Sequence, residues 1–125
     1  MRTLNQIHLR GFLSDKPTVR STVSQKKVAN FVLITHKTKM VNGEATQEAD
    51  FHRIVLWKGL ADVAEKYLSK GDAVHVIGEV HYERFEGKDK KINYTTEIVA
   101  DRLDLIKTKK EGAEEETKET TKEEK

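Results

Sequence analysis

The chain has 125 residues, no cysteine, a 36% hydrophobic share, and 23 Lys and Arg against 21 Asp and Glu. That is one domain's worth of sequence, and it excludes disulfide frameworks, thiolate metal sites and cysteine nucleophiles while suiting a reducing, cytoplasmic setting. No apolar run approaches the ~20 residues of a membrane span, the N-terminus lacks a signal peptide's apolar core, and a formal net charge of +2 permits nucleic-acid binding without demanding it.

The charge is unevenly spread. Residues 1–106 carry 17 Lys and Arg against 14 Asp and Glu, a net +3. Residues 107–125 are seven Glu, six Lys, four Thr, one Gly and one Ala. Such a segment buries too little apolar surface to offset the entropy of ordering it, so the expectation is a folded domain over 1–106 and a disordered tail over 107–125.

In chain order, Leu4 to Leu13 reads as a strand with Ile7, Leu9, Gly11 and Leu13 on one side, the glycine marking a bend or a close backbone approach. Ser14-Asp15-Lys16-Pro17 has turn chemistry, Val19 to Val23 suits a short strand, and Val28 to Thr38 is a long strand rich in β-branched residues. Asn42-Gly43 signals a hairpin, read as a protruding loop because its flanks are polar. Ala49 to Asp72 then changes period. Phe51, Arg53, Val55 and Trp57 alternate with His52, Ile54 and Leu56, after which Leu60, Val63, Ala64 and Tyr67 fall at helical spacing and Gly71 stands where a left-handed C-cap is wanted. Val74, Val76, Gly78, Val80 and Tyr82 alternate with His75, Ile77, Glu79, His81 and Glu83 to make another strand. Glu86-Gly87-Lys88-Asp89 is a second hairpin tip, and Ile92 to Ile106 forms the last strand or two, with Asp101 as an interruption.

Five long strands with one short helix between the third and fourth describe an all-β, five-stranded Greek-key barrel, the OB-fold. Its third strand presents Phe51, Arg53 and Trp57 on one side. On pattern alone an aromatic pair on a strand face is more often core or subunit interface, and Arg53 more often a surface ion-pair residue.

Residues 5–106 also resemble, in register, the bacterial-type single-stranded DNA-binding proteins. The landmarks are GFLSDKPTVR (Gly11 to Arg20), VANFVLIT (Val28 to Thr35), FHRIVLWKG (Phe51 to Gly59), LADVAEKYLSKGDAVHVIGEV (Leu60 to Val80) and YTTEIV (Tyr94 to Val99). The resemblance implies an OB-fold subunit that assembles as a homotetramer, with a homodimer as the alternative. It implies binding of single-stranded DNA without sequence preference during replication, repair and recombination. It places stacking aromatics at Phe51, Trp57 and Phe85, and it puts Lys39 where the family usually has a fourth, a tryptophan. His81, Glu83 and Gln6 stand where basic residues are common. The chain's last residues lack the acidic and apolar tip through which such proteins recruit replication and repair enzymes.

The chemistry suits that reading. Every nucleotide shares a phosphate charge and an aromatic face, and stacking one base on an aromatic side chain contributes roughly 1–3 kcal/mol whatever the base. Arg53, between Phe51 and Trp57, is placed to meet phosphate, with Arg20, Lys37, Lys39, Lys70 and Arg84 as the other candidates. By default, though, Lys37 and Lys39 are a solvated hairpin arm. No cofactor, metal site or catalytic group is expected. His75 and His81 lie ~20 Å apart along one strand, too far to share an ion, Asp50 and His52 have no nucleophile at a known spacing, and no phosphate-cradling glycine loop occurs. The competing reading is an OB-fold accessory module that binds DNA weakly and works through protein contacts.

Overall fold

The computed structural model describes residues 1–107. The Glu/Lys/Thr-rich segment read as a tail lies outside the described residues apart from Lys107, which ends the last strand. The strands are β1 (Ile7–Leu13), β2 (Thr18–Ser21), β3 (Lys27–Val41), β4 (Glu44–Trp57), β5 (Ala73–Glu86) and β6 (Ile92–Lys107), and α1 (Gly59–Tyr67) joins β4 to β5.

The pairings run β1–β5–β6–β4–β3 and return to β1, so five strands form a closed circuit. All are antiparallel except β4–β6, where Ile54 and Val55 lie beside Ile98 and Val99. The closing contact is short, Phe12 and Leu13 against Ile34 and Leu33. β2 continues along the same edge of β3, pairing Thr18 to Ser21 with Asn30 to Lys27. β1 and β2 thus share one side of β3 end to end, and the Ser14–Pro17 loop is the step between them. The barrel expected from the sequence is present, with β2 as its short sixth segment.

Gly11 is where β1 passes from β5 to β3. A Cβ built on it would lie 2.1 Å from the Ile34 carbonyl oxygen, so only glycine lets the two backbones approach. Gly78 makes the same approach to the Val99 carbonyl, also at 2.1 Å, beside a register break at which Ile77 faces Arg102 but Gly78 faces Ala100. Asp101 is the extra residue there. It bulges β6 without ending it, so the expected interruption is a bend in one continuous strand.

The core is the inward side of the circuit plugged by α1. Leu13, Phe31, Leu33, Ile54, Leu56, Val74, Val76 and Ile98 meet Ala61, Ala64 and Leu68, and each large side chain removed from water contributes about 1.5–3 kcal/mol. The helix ends differently from the sequence expectation. Its C-cap is Leu68 in extended conformation, because that side chain must turn into the core. The left-handed residue comes later, at Gly71 (φ 89°), whose N–H donates to the Leu13 carbonyl at 2.9 Å. Asp72, buried, closes this turn by accepting the Ser69 N–H at 2.8 Å.

Both hairpins outgrow the barrel. Asn42 and Gly43 both have positive φ, as a two-residue type I′ turn requires. The β3–β4 ladder pairs without a break from Val28↔Trp57 to Val41↔Glu44. The expected loop is therefore a ribbon paired to its tip, although residues 36–51 are all exposed. The β5–β6 hairpin likewise extends past the core, and Tyr82, in phase with the buried Val74 and Val76, is exposed because nothing lies beneath it.

Candidate nucleic-acid interface

Residues paired directly across a ladder point to the same side, so the registers sort the candidate side chains by face. On β4 the outward set is Phe51, Arg53, Val55 and Trp57, opposite Ile34, Val32, Asn30 and Val28 of β3. Ile54 and Leu56 point into the core. Phe51 is 66% and Trp57 40% exposed, whereas Val55 is buried although it shares their side. On β5 the inward set is Val74, Val76 and Gly78, which leaves His75, Ile77, Glu79, His81, Glu83 and Phe85 facing out. Phe85 is 49% exposed. The circuit therefore brings all three stacking candidates to its outer surface, with Arg53 between two of them.

The cations do not all follow. Arg20 does, since it pairs with Val28, which pairs with Trp57, making one row across three strands and putting Arg20 about 10 Å from Trp57. Lys37 and Lys39 face the other side of their ribbon, in phase with Leu33 and Thr35. Glu48 approaches both, at 3.9 Å from Lys37 and 3.4 Å from Lys39. Arg84 is out of phase with Phe85 and pairs with Tyr94. Lys70 sits in the turn before β5, held through Gly71 to Leu13, on the β1 side of β3 and away from β4.

Arg53 itself is shared. Its guanidinium lies 3.8 Å from the Glu97 carboxylate, with side-chain exposures of 54% and 16%. Arg53 also lines a recess with Ser14, Lys16, Thr18 and Asn30. His52, on the core-facing side, has its Nε2 2.9 Å from Thr35 Oγ1, a structural bond within the β3–β4 ladder.

Lys27, at the start of β3, reaches Asp62 at 2.8 Å and also pairs with Glu65, tying the strand to the first turns of α1. The hydrogen bond to Asp62, then that to Glu65, holds the Lys27 ammonium above its ordinary pKa. The same hydrogen bond holds the Asp62 carboxyl below its own.

The structure adds residues the sequence reading passed over. Trp57 stands in an open depression lined by Thr22, Ser24, Lys26 and Lys58, so two unassigned lysines flank it. Tyr82 and Tyr94 are exposed on the ribbon side opposite Phe85. Tyr94 stands in the YTTEIV landmark, whereas Tyr82 shares the strand phase of the apolar Val74 and Val76, which gives no sign of its exposure.

A closed five-strand circuit plugged by one helix, with exposed aromatics and cations on its outer sheet, defines an OB-fold of the kind that carries flexible polymers across a strand face. Residues 4–106 match the Single-strand binding protein family, and the chain belongs to it. A single-stranded DNA-binding protein 3 of Listeria innocua is 36% identical over 110 residues, covering 88% of this chain and 68% of its own length. One from Oceanobacillus iheyensis is 37% identical over 106 residues, covering 85% and 65%. The chain thus spans about two thirds of the length of these relatives. Among solved structures, a Plasmodium falciparum SSB in complex with ssDNA superposes with a TM-score of 0.78 at 28% identity, over 85% of this chain and 97% of that one.

Proposed function

We propose that this chain binds single-stranded DNA without sequence preference and without chemical change, protecting it during replication, repair and recombination. The observation that carries the reading is the common outward face of Phe51, Arg53, Trp57 and Phe85, three exposed rings with a guanidinium among them. Bases stack on the rings and phosphates meet Arg53 and Arg20, a combination that grips any sequence. Lys37, Lys39, Lys70 and Arg84, turned elsewhere, serve a strand that wraps beyond this face or a neighbouring subunit's share of it. The functional unit is an assembly of copies, a homotetramer as in the family resemblance, acting in the cytoplasm where the DNA lies. No helix among the described residues is long and apolar enough to cross a membrane.

One observation favours the competing reading of a weak-binding accessory module. Carboxylates already occupy Lys37, Lys39 and Arg53. Titration with oligo-dT separates the two. The proposal requires Trp57, the chain's single tryptophan, to be quenched by oligo-dT far more than by duplex DNA, with emission recovering as salt rises. Unchanged emission at saturating oligonucleotide and low salt leaves the accessory reading standing.

A further inference from the structure

Lys58 has a backbone that lysine does not favour. It lies at φ 55° and ψ −118°. The left-handed well open to side-chain-bearing residues has ψ of about +30 to +60°, and a negative ψ at this φ belongs to glycine. Lys58 is also the N-cap of α1, where it makes no side-chain cap hydrogen bond and sets a cation at the positive end of the helix dipole. The next residue, Gly59, has no positive φ and nothing within 4 Å of a built Cβ. Lysine therefore stands where the backbone asks for glycine, and glycine stands where nothing requires it.

The conformation is imposed from outside. The Lys58 N–H donates to the Lys27 carbonyl at 2.8 Å, and the Lys58 carbonyl accepts the Asp62 N–H at 3.1 Å. These bonds fix the chain one step past the last ladder pair, Val28↔Trp57. Lys27 turns towards α1 and is taken up by Asp62 and Glu65. Lys26, one residue earlier in the alternation, falls on the Trp57 side. Its place is set by the Thr22–Lys26 turn, in which its N–H donates to Thr22 Oγ1 at 3.2 Å and its carbonyl accepts the Thr22 N–H at 2.9 Å. Lys26, Trp57 and Lys58 line one open depression. Neither Lys26 nor Lys58 has an ion pair among the described residues.

We infer that Lys26, Trp57 and Lys58 form a single nucleotide station, with a base stacked on the indole and the adjoining phosphates held by the two ammonium groups. At Lys58 the fold gives up stability to keep one of those charges in place. This rests on the proposed single-strand binding and deepens it. It assigns phosphate contacts to two lysines that sequence reasoning left aside, and it sets them against Lys37 and Lys39, which Glu48 occupies.

The test is to substitute Lys58 by Gly, Ala and Arg in the full chain, measuring thermal unfolding and the salt dependence of oligo-dT binding. Lys58→Gly is expected to raise the unfolding midpoint, weaken oligo-dT binding several-fold and reduce the slope of log K against log salt by about 0.7, the share of one phosphate contact on a single strand. Lys58→Ala keeps the unfavourable backbone and loses the charge, so it lowers the slope equally, with only the small gain in midpoint that follows from removing a cation at the helix N-terminus and less than Lys58→Gly gains. Lys58→Arg keeps the slope. A Lys58→Gly protein that binds oligo-dT as tightly as the parent with the same slope overturns the station, and one that unfolds at a lower temperature overturns the trade of stability for charge. Absence of oligo-dT binding in the parent chain overturns the single-strand reading itself, an outcome distinct from either.

Discussion

Arg53 projects from the outer face of β4 directly towards Glu97 of β6, 3.8 Å away, and the carboxylate is the more buried of the two. The parallel pairing of Ile54 with Ile98 sets this meeting, and it decides how much of the guanidinium is available to a phosphate. A partly exposed pair of this kind contributes little to stability, about 0.2–1 kcal/mol. Its larger effect is to cancel a charge on the face where Phe51 and Trp57 stand. Glu97→Gln is therefore expected to tighten oligo-dT binding and steepen its salt dependence by up to about 0.7 in log–log slope. Unchanged slope would remove Arg53 from the DNA path.

Glu48 offers the matched control. It neutralises Lys37 and Lys39, but on the ribbon side that Phe51 does not share. If the path of the strand is the outer face alone, Glu48→Gln changes oligo-dT affinity much less than Glu97→Gln does. A larger effect from Glu48 would show that the strand wraps the β3–β4 ribbon and uses both sides. Isothermal titration of the two variants at a single salt concentration ranks them.

How much of this was legible beforehand varies with the range of the interaction. The alternation Phe51 to Trp57 announced a strand with one face buried, and the structure buries Ile54 and Leu56 while exposing Phe51 and Trp57. The Asn42-Gly43 turn even carried the register. A two-residue turn there forces Lys37 opposite Glu48 and puts both out of phase with Phe51, a consequence that follows from the turn length alone. Glu97 beside Arg53 was not readable, because parallel neighbours far apart in sequence follow only from closing the circuit. Lys58 was hidden for another reason. Its side chain type says nothing of φ, and composition alone would assign an unusual backbone to the adjacent Gly59, which has no positive φ.

Gly11 tests whether the barrel closes as described. A methyl there meets the Ile34 carbonyl oxygen, 2.1 Å from the ideal Cβ, and that oxygen belongs to backbone which cannot swing aside. Gly11→Ala is expected to destabilise the domain by about 1–3 kcal/mol, the typical range of an overpacked core site. Because the clash lies at the β1–β3 closure, Gly43→Ala is the useful comparison. Its Cβ meets nothing within 4 Å and only its φ of 81° is unfavourable, so its cost should be smaller. Urea unfolding of the two variants gives the ordering.

Phe51 and Trp57, six residues apart on β4, lie about 20 Å from each other along the strand. At that distance they serve different bases, so their contributions should add within about 0.5 kcal/mol. Phe51→Ala and Trp57→Ala are each expected to weaken binding of a long oligo-dT by roughly 1–3 kcal/mol, and the double variant by the sum. A double variant no weaker than the worse single one would mean that the two rings share one base or one subunit contact. With Trp57 removed, the measurement uses a labelled oligonucleotide.

The Lys27–Asp62–Glu65 cluster makes stability depend on acid in a defined direction. Asp62 has its folded pKa lowered by the Lys27 hydrogen bond. Its contribution is therefore fully present above the ordinary carboxylate value and is lost as pH falls through the lowered one. Lys27 is raised, so its contribution holds throughout neutral pH and disappears only as pH climbs through the raised lysine value. Lys27→Met should lower the unfolding midpoint at pH 7, and the gap from the parent should narrow as pH drops below about 4. High salt should narrow it as well, since these charges are exposed. A gap that persists at low pH would assign the effect of Lys27 to packing of its alkyl chain against α1 and not to its charge.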